Sequence, residues 1–282
     1  MLVSEDYFIK NIAKQWFATN NMVALKITNQ CPVACSHCRE NASMENKGVI
    51  TKEVIDKVFE QIVAGGDAEN WIICLQGGEA ILYPELCEYV INKCKENNIA
   101  SNMYSSGWWW KECDKYIPMI LRWNPTIVAI SVNDWLVEKF GGLEYVNTIA
   151  KYFSDDNTPI LLYSEVNLDG AKWGKQCKYQ TCSISYELAP VGRAFKLIGT
   201  YEKAGKQERW MNNSICSQSG YEIGIDGTVW PNCCAASAGA CKFGNILTGT
   251  NISELRKKSR QNRCRIDPTR SVQKQKNPFL LF

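Results

Sequence analysis

Three cysteines crowd the stretch ITNQCPVACSHCRENA (27–42): Cys31, Cys35 and Cys38, spaced Cys-x3-Cys-x2-Cys. A closed structural zinc site takes four ligands, commonly from two Cys-x2-Cys pairs. Three thiolates on one tight loop suit instead three corners of an iron–sulfur cube, whose fourth iron stays open to another ligand. His37, the single histidine of the chain, adjoins Cys38 and would have to turn away from it to serve as a fourth ligand. The competing role for the triplet is zinc binding or core packing. A second stretch able to do chemistry is GGE (77–79). Its two glycines let backbone approach closely, and Glu79 can accept from an ammonium group. A third lies late in the chain. YEIGIDGTVWP (221–231) has the pattern of a β-hairpin turning at Asp226-Gly227, with Cys216 before it and Cys233, Cys234, Cys241 and Cys264 after it. A hairpin between cysteines brings them close in space and points to a second metal site.

The elements that must position these residues alternate. MVALKIT (22–28) has the alternation of a strand. In 51–65, Val54, Ile55, Val58, Phe59, Ile62 and Val63 mark the apolar face of a helix. Thr51 caps it, Glu53 suits its first turn and Gly65 ends it. Strands follow at 71–76, 100–105, 126–132, 159–166 and 183–188, and helices at 84–98, 111–123 (with Pro118 inside it) and 143–153. Strands alternating with helices imply parallel βα units. A closed eight-unit barrel needs ~250 residues, so 22–190 suffices for five or six units. The fold expected is α/β, a partial, open (βα)6 TIM-like barrel followed by a small hairpin and helix extension. The cysteines, GGE, SSG (105–107), SVND (131–134) and SEVN (164–167) each follow or end a strand. All therefore fall at the carboxyl end of the sheet, where βα folds build their sites.

Composition narrows the class. With 45% apolar and 22% charged residues, the 282-residue chain can bury a large core. No run is long and apolar enough to span a bilayer, and the mixed, amphipathic start is no secretion signal, so a cytoplasmic protein is expected. Fourteen cysteines in a reducing compartment favour metal over disulfides. Cys74, Cys87 and Cys94 sit in apolar patterns and are expected to pack as small hydrophobes. The formal charge of +3 hides a tail, 256–276, of about +8. That tail is expected to be a solvated face rather than a contact for an acidic peptide or nucleic acid. No internal repeat and no low-complexity segment is present.

The triplet after a first strand resembles the radical S-adenosylmethionine (AdoMet) superfamily. The resemblance implies a 4Fe–4S cluster on Cys31, Cys35 and Cys38, whose open iron takes the amino and carboxylate groups of AdoMet. GGEAILYPEL resembles the family's GGEP element, which implies that Gly77, Gly78 and Glu79 receive the methionine amino group; Ala80 stands where proline is usual. Ser131 and Asn133 match polar positions of strand four that hold ribose or carboxylate, and Ser105 ends strand three on the same side. VGRA (191–194) resembles the GRA element after the sixth strand, giving Arg193 a cofactor role. EKFGGL lacks the arginine often found in that loop. His37 takes the aromatic position before the third cysteine and is expected to pack beside the cofactor.

The order C…DG-x-V-x-P-C…GNI resembles the SPASM or twitch extension, which carries auxiliary clusters. It implies one auxiliary 4Fe–4S cluster on Cys216, Cys234, Cys241 and Cys264. Asn232, inserted after Pro231, leaves open which of Cys233 and Cys234 is the ligand; a free Cys233 is either a spare thiol or a hydrogen-atom donor. Cys177 and Cys182 are open between core, spare thiols and cluster support. Trp108, Trp109 and Trp110 cannot share one helix face, so either at least one meets solvent or a ligand or, the preferred reading, they cover the barrel top as packing. The organisation expected is a helical lead-in (1–21), the barrel (22–195) and an auxiliary-cluster unit (196–282) ending in the basic tail.

The resemblance further implies that AdoMet is cleaved reductively to a 5′-deoxyadenosyl radical that takes a hydrogen atom from substrate. The first reading of the substrate is a ribosomally made peptide, ending in a crosslink, thioether or epimerised residue. The second is a small molecule, a sugar or alcohol, oxidised by two electrons. A reductant such as flavodoxin or ferredoxin is implied, and for the peptide reading a separate peptide-recognition protein. A third reading, from another class, is a zinc protein binding RNA through its basic tail; it leaves GGE and VGRA unexplained.

Overall fold

The computed structural model describes residues 21–38, 40–155, 160–165, 182–186, 220–231 and 242–259. The strands are β1 (Met22–Thr28), β2 (Ile72–Gly77), β3 (Ala100–Ser105), β4 (Ile127–Ser131), β5 (Ile160–Glu165) and β6 (Cys182–Tyr186). They are followed by β7 (Tyr221–Ile223), β8 (Thr228–Pro231) and β9 (Gly244–Asn245). The helices are α1 (Lys52–Ala64), α2 (Pro84–Glu96), α3 (Cys113–Trp123), α4 (Asp134–Lys139), α5 (Glu144–Asp155) and α6 (Ile252–Ser259). All strands form one sheet in the order β6-β5-β4-β3-β2-β1-β7-β8-β9. Neighbours from β6 to β7 are parallel, and β8 and β9 return antiparallel. The parallel βα architecture is as expected, and the sheet runs from edge to edge without closing. No helix among the described residues is long and apolar enough to cross a membrane.

Period-two alternation gives the sheet two unlike faces. Val23, Leu25, Ile27, Ile73, Leu75, Met103, Val128 and Ile130 pack into one core with the helices. The other face carries Lys26, Gln76, Tyr104 and Ser131 near its carboxyl end. In α1, Val54, Ile55, Val58, Phe59 and Ile62 are buried, at about 2 kcal/mol each for the transfer alone. Thr51 caps the helix by accepting from the Val54 amide at 3.3 Å. Val63, expected on this face, is 45% exposed: nine residues beyond Val54, at 100° each, puts it on the opposite side of the helix. Cys74, Cys87 and Cys94 are buried as expected. Helix α3 starts two residues later than expected, after a turn of 3-10 helix at Trp110–Glu112.

The hairpin turns at Asp226-Gly227 as expected, with Gly227 at φ +79 and both Asp226 carboxylate oxygens accepting from Thr228, its amide at 3.0 Å and its hydroxyl at 2.8 Å. The described part of 196–282 is continuous with the barrel, because β7 pairs along β1. Gln61 of α1 adds to the seam. Its amide nitrogen donates to the Thr250 carbonyl (3.0 Å), and its amide oxygen accepts from Ile252 (2.9 Å).

Candidate active site

The cysteine loop leaves β1 and is held at its root by backbone. Gly78 donates to the Thr28 carbonyl (2.6 Å) and Glu79 to the Gln30 carbonyl (2.7 Å). A Cβ on Gly78 would stand 2.0 Å from the Gln30 oxygen, and one on Gly77, at φ +117, 2.5 Å from the Thr28 oxygen. The two glycines are therefore needed where β1 and β2 end against each other. Thr28 and Gln30 complete the root. The Thr28 hydroxyl donates to the Gly48 carbonyl (2.7 Å), and the Gln30 side-chain oxygen accepts from the Tyr83 hydroxyl.

Within the loop, Cys31 is buried and Cys35 and Cys38 are half-buried. No three Cys, His, Asp or Glu side chains meet in a ready-made metal cage among the described residues. The donor set, thiols served by backbone amides, fits the cluster that the sequence resemblance implies. The Ala42 amide donates to Cys38 Sγ at 3.4 Å, and the Ala34 and Val33 amides favour the Cys31 thiolate. Burial, then the nearby Glu79 charge, outweigh those amides and push the Cys31 thiol up.

Glu79 is 2% exposed. Its Oε2 accepts from the Ser106 amide (3.0 Å) and hydroxyl (2.6 Å), while its Oε1 is buried without a hydrogen bond. Burial raises its pKa above the usual 4.5. A buried carboxylate with one bare oxygen, beside a thiol that it pushes up, is a site short of positive charge. An ammonium group at Oε1 meets that need, so the residues present fit the amino group of AdoMet.

Ser105, expected at the cofactor, ends β3 and is buried. Its hydroxyl accepts from the Gly107 amide (3.0 Å) and the Trp109 indole (2.9 Å). It also acts on the Glu79 carboxyl and favours its charged form, as Ser106 does more strongly. Trp109 is buried, and Trp108 and Trp110 pack half-buried against the core, as expected of a cover. Ser131 ends β4, and its carbonyl accepts from the Tyr145 hydroxyl (3.0 Å). Asn133 is buried and caps α4, its Oδ1 accepting from Leu136 (3.0 Å). Its Nδ2 is thereby the donor toward His37 Nε2, 3.0 Å away. His37 is buried and stacks on Trp135, with ring centroids 4.2 Å apart.

The loop's far end meets the hairpin. Lys26 lies 2.5 Å from Glu40 and 2.7 Å from Glu222 of β7. Burial works against the Lys26 charge, but the Glu40 and Glu222 carboxylates more than offset it and hold the ammonium well above its usual range. Arg193, Cys177, Cys216, Cys233, Cys234, Cys241 and Cys264, and the side chain of Cys182, lie outside the described residues, as does the lead-in 1–20.

No family model matches the chain. It is similar to the sporulation killing factor maturation protein SkfB of Bacillus subtilis (strain 168), 28% identical over 155 residues, which is 52% of this chain and 36% of that protein. The match thus spans about a third of the relative's length. Among solved structures it is similar to native anSMEcpe with bound AdoMet (TM-score 0.53, 16% identity, covering 83% of this chain and 80% of that one). It is also similar to BtrN in complex with AdoMet and 2-DOIA (TM-score 0.50, 14% identity, covering 87% and 91%). The chain shares its fold with these two AdoMet-bound structures, and the partial α/β barrel expected from the sequence is borne out at that level.

Proposed function

We propose that the chain is a radical AdoMet enzyme that modifies a ribosomally made peptide. The observation that carries the reading is the buried, unpartnered Glu79 Oε1 beside Cys31 at the carboxyl end of β1 and β2. Cys31, Cys35 and Cys38 hold the 4Fe–4S cluster, and Glu79, fixed by Ser106, takes the methionine ammonium. AdoMet bound there supplies a 5′-deoxyadenosyl radical able to take a hydrogen atom from an unactivated C–H bond. The chain's own part is to orient the cofactor and keep water out, which the packed carboxyl end of the sheet serves. Cys216, Cys234, Cys241 and Cys264 hold one auxiliary cluster, with Cys233 the candidate hydrogen-atom donor. Arg193, Ser105 and Ser131 remain candidates for cofactor contacts.

The peptide is supported by the likeness to a maturation protein and to anSMEcpe bound to AdoMet and the Kp18Cys peptide (TM-score 0.54, 16% identity, covering 83% and 80%). The second reading, two-electron oxidation of a small molecule, is favoured by the likeness to BtrN, which was solved with 2-DOIA.

The deciding experiment measures iron, sulfide and 5′-deoxyadenosine release with dithionite and AdoMet after anaerobic reconstitution. It compares the parent with a Cys31, Cys35, Cys38→Ala triple variant. About eight irons in the parent, about four in the variant and nucleoside from the parent alone are expected for two clusters. Four in the parent and none in the variant removes the auxiliary cluster. Zinc without nucleoside removes the enzyme.

A further inference from the structure

Helix α4 has no place in the sequence reading, yet its residues converge on the cysteine loop. Lys139 Nζ donates to the Val33 carbonyl at 2.7 Å. Trp135 stacks on His37 with the rings 17° from parallel. Asn133, the cap of the helix, uses one end of its amide to start α4 and the other to reach His37. The capped helix start and the loop are thus joined through a single side chain.

The Lys139 contact has a consequence at Cys31. The Val33 carbonyl and the Ala34 amide belong to one planar trans peptide, so their O and H point opposite ways. With the oxygen held by Lys139, the Ala34 N–H turns to the other side, toward the Cys31 sulfur. Ala34 pays for this with φ +49, a left-handed conformation that costs a residue with a Cβ about 1 kcal/mol. A turn of that kind persists only where its surroundings hold it.

We propose that α4 is a clasp on the cysteine loop, with Lys139, Trp135 and Asn133 as positioning residues that fix the peptide aimed at Cys31 and the seat of His37. The proposal rests on the reading of 31–38 as the cluster loop. Hydrogen bonds to cluster sulfurs help set reduction potential. An amide that withdraws charge from the Cys31 sulfur favours the reduced cluster, and releasing it moves the potential down.

The test uses the full chain as Lys139→Met, Lys139→Arg, Trp135→Leu and Asn133→Ser; serine keeps the helix cap and drops the bond to His37. Hydrogen exchange of amides 31–38 is read in the iron-free protein. The midpoint potential of the first cluster is read after reconstitution of Lys139→Met and Lys139→Arg. In Lys139→Met, exchange within 31–38 is expected to rise about threefold or more while α1 and α2 stay unchanged. Its potential is expected to fall, and Lys139→Arg is expected to restore both. Trp135→Leu and Asn133→Ser are expected to raise exchange around His37 and Cys38. A Lys139→Met protein equal to the parent in both readouts overturns the clasp, and so does one whose exchange rises evenly through α1 and α2. A parent that takes up no iron overturns the cluster reading instead, and the exchange comparison alone then decides the clasp.

Discussion

The cysteine loop is gripped on two flanks by different means. At its root, β1 and β2 end against each other through backbone bonds that only glycine at 77 and 78 permits. On the α4 side the grip is made by side chains: an ammonium on a carbonyl, an indole on an imidazole and an amide on a ring nitrogen. Backbone contact constrains residue type severely, because a single Cβ destroys it. Side-chain contact constrains reach and position, which many residues satisfy.

The most severe way to break the first flank is Gly78→Ala. With a Cβ 2.0 Å from a carbonyl oxygen, the two strand ends must part, at a cost of about 3 kcal/mol. Chemical denaturation should show that loss, together with loss of iron; a variant with the parent's midpoint would mean that the root is not the anchor.

Glu79→Gln leaves the backbone grip intact and removes only the charge. AdoMet affinity should drop about tenfold or more, since a charge-assisted bond becomes a neutral one. Equilibrium binding to the reconstituted protein checks this. In the protein without AdoMet the same change should stabilise. A carboxyl whose folded pKa is raised holds its proton more tightly than in the unfolded chain, so its cost appears as pH rises above the usual 4.5. The stability gap between variant and parent should therefore widen upward from there and vanish below it. A gap independent of pH would mean that the Glu79 carboxyl carries no buried charge.

The mildest change sharpens the second flank. Ala34→Gly relieves the left-handed strain at φ +49 but frees the unfolded chain. The two effects nearly cancel, to within about 1 kcal/mol. Near-parent stability with faster exchange confined to the loop is the expected result. A loss above about 2 kcal/mol would show that the Ala34 methyl packs.

These two flanks also separate what the sequence discloses from what it hides. The strand and helix order, the cap at Thr51 and the turn at Asp226-Gly227 follow from local periodicity and turn chemistry, and all were legible. Glu79 stood out because its glycines did. Ser106, which donates to Glu79 twice, was not singled out beside Ser105, because a serine one place past a strand end carries no periodic mark. Helix α4 was missed because six residues give too few turns for a period to show. Its partners, Val33 and His37, lie about a hundred residues earlier in the chain. That hairpin 221–231 would lie against β1 was equally hidden, since parallel pairing across such a distance leaves no local mark.

The place of β1 has one more consequence. The first strand of the barrel is interior to the sheet, with β2 on one side and β7 on the other. A fragment cut at residue 195, where the sequence suggests a boundary, would leave β1 as a bare edge. Its unpaired N–H and C=O groups, beside apolar Val23 and Leu25, would form a template for another chain. Such a fragment is expected to aggregate through β1 rather than fold as a smaller barrel, which makes the late hairpin a guard of the sheet.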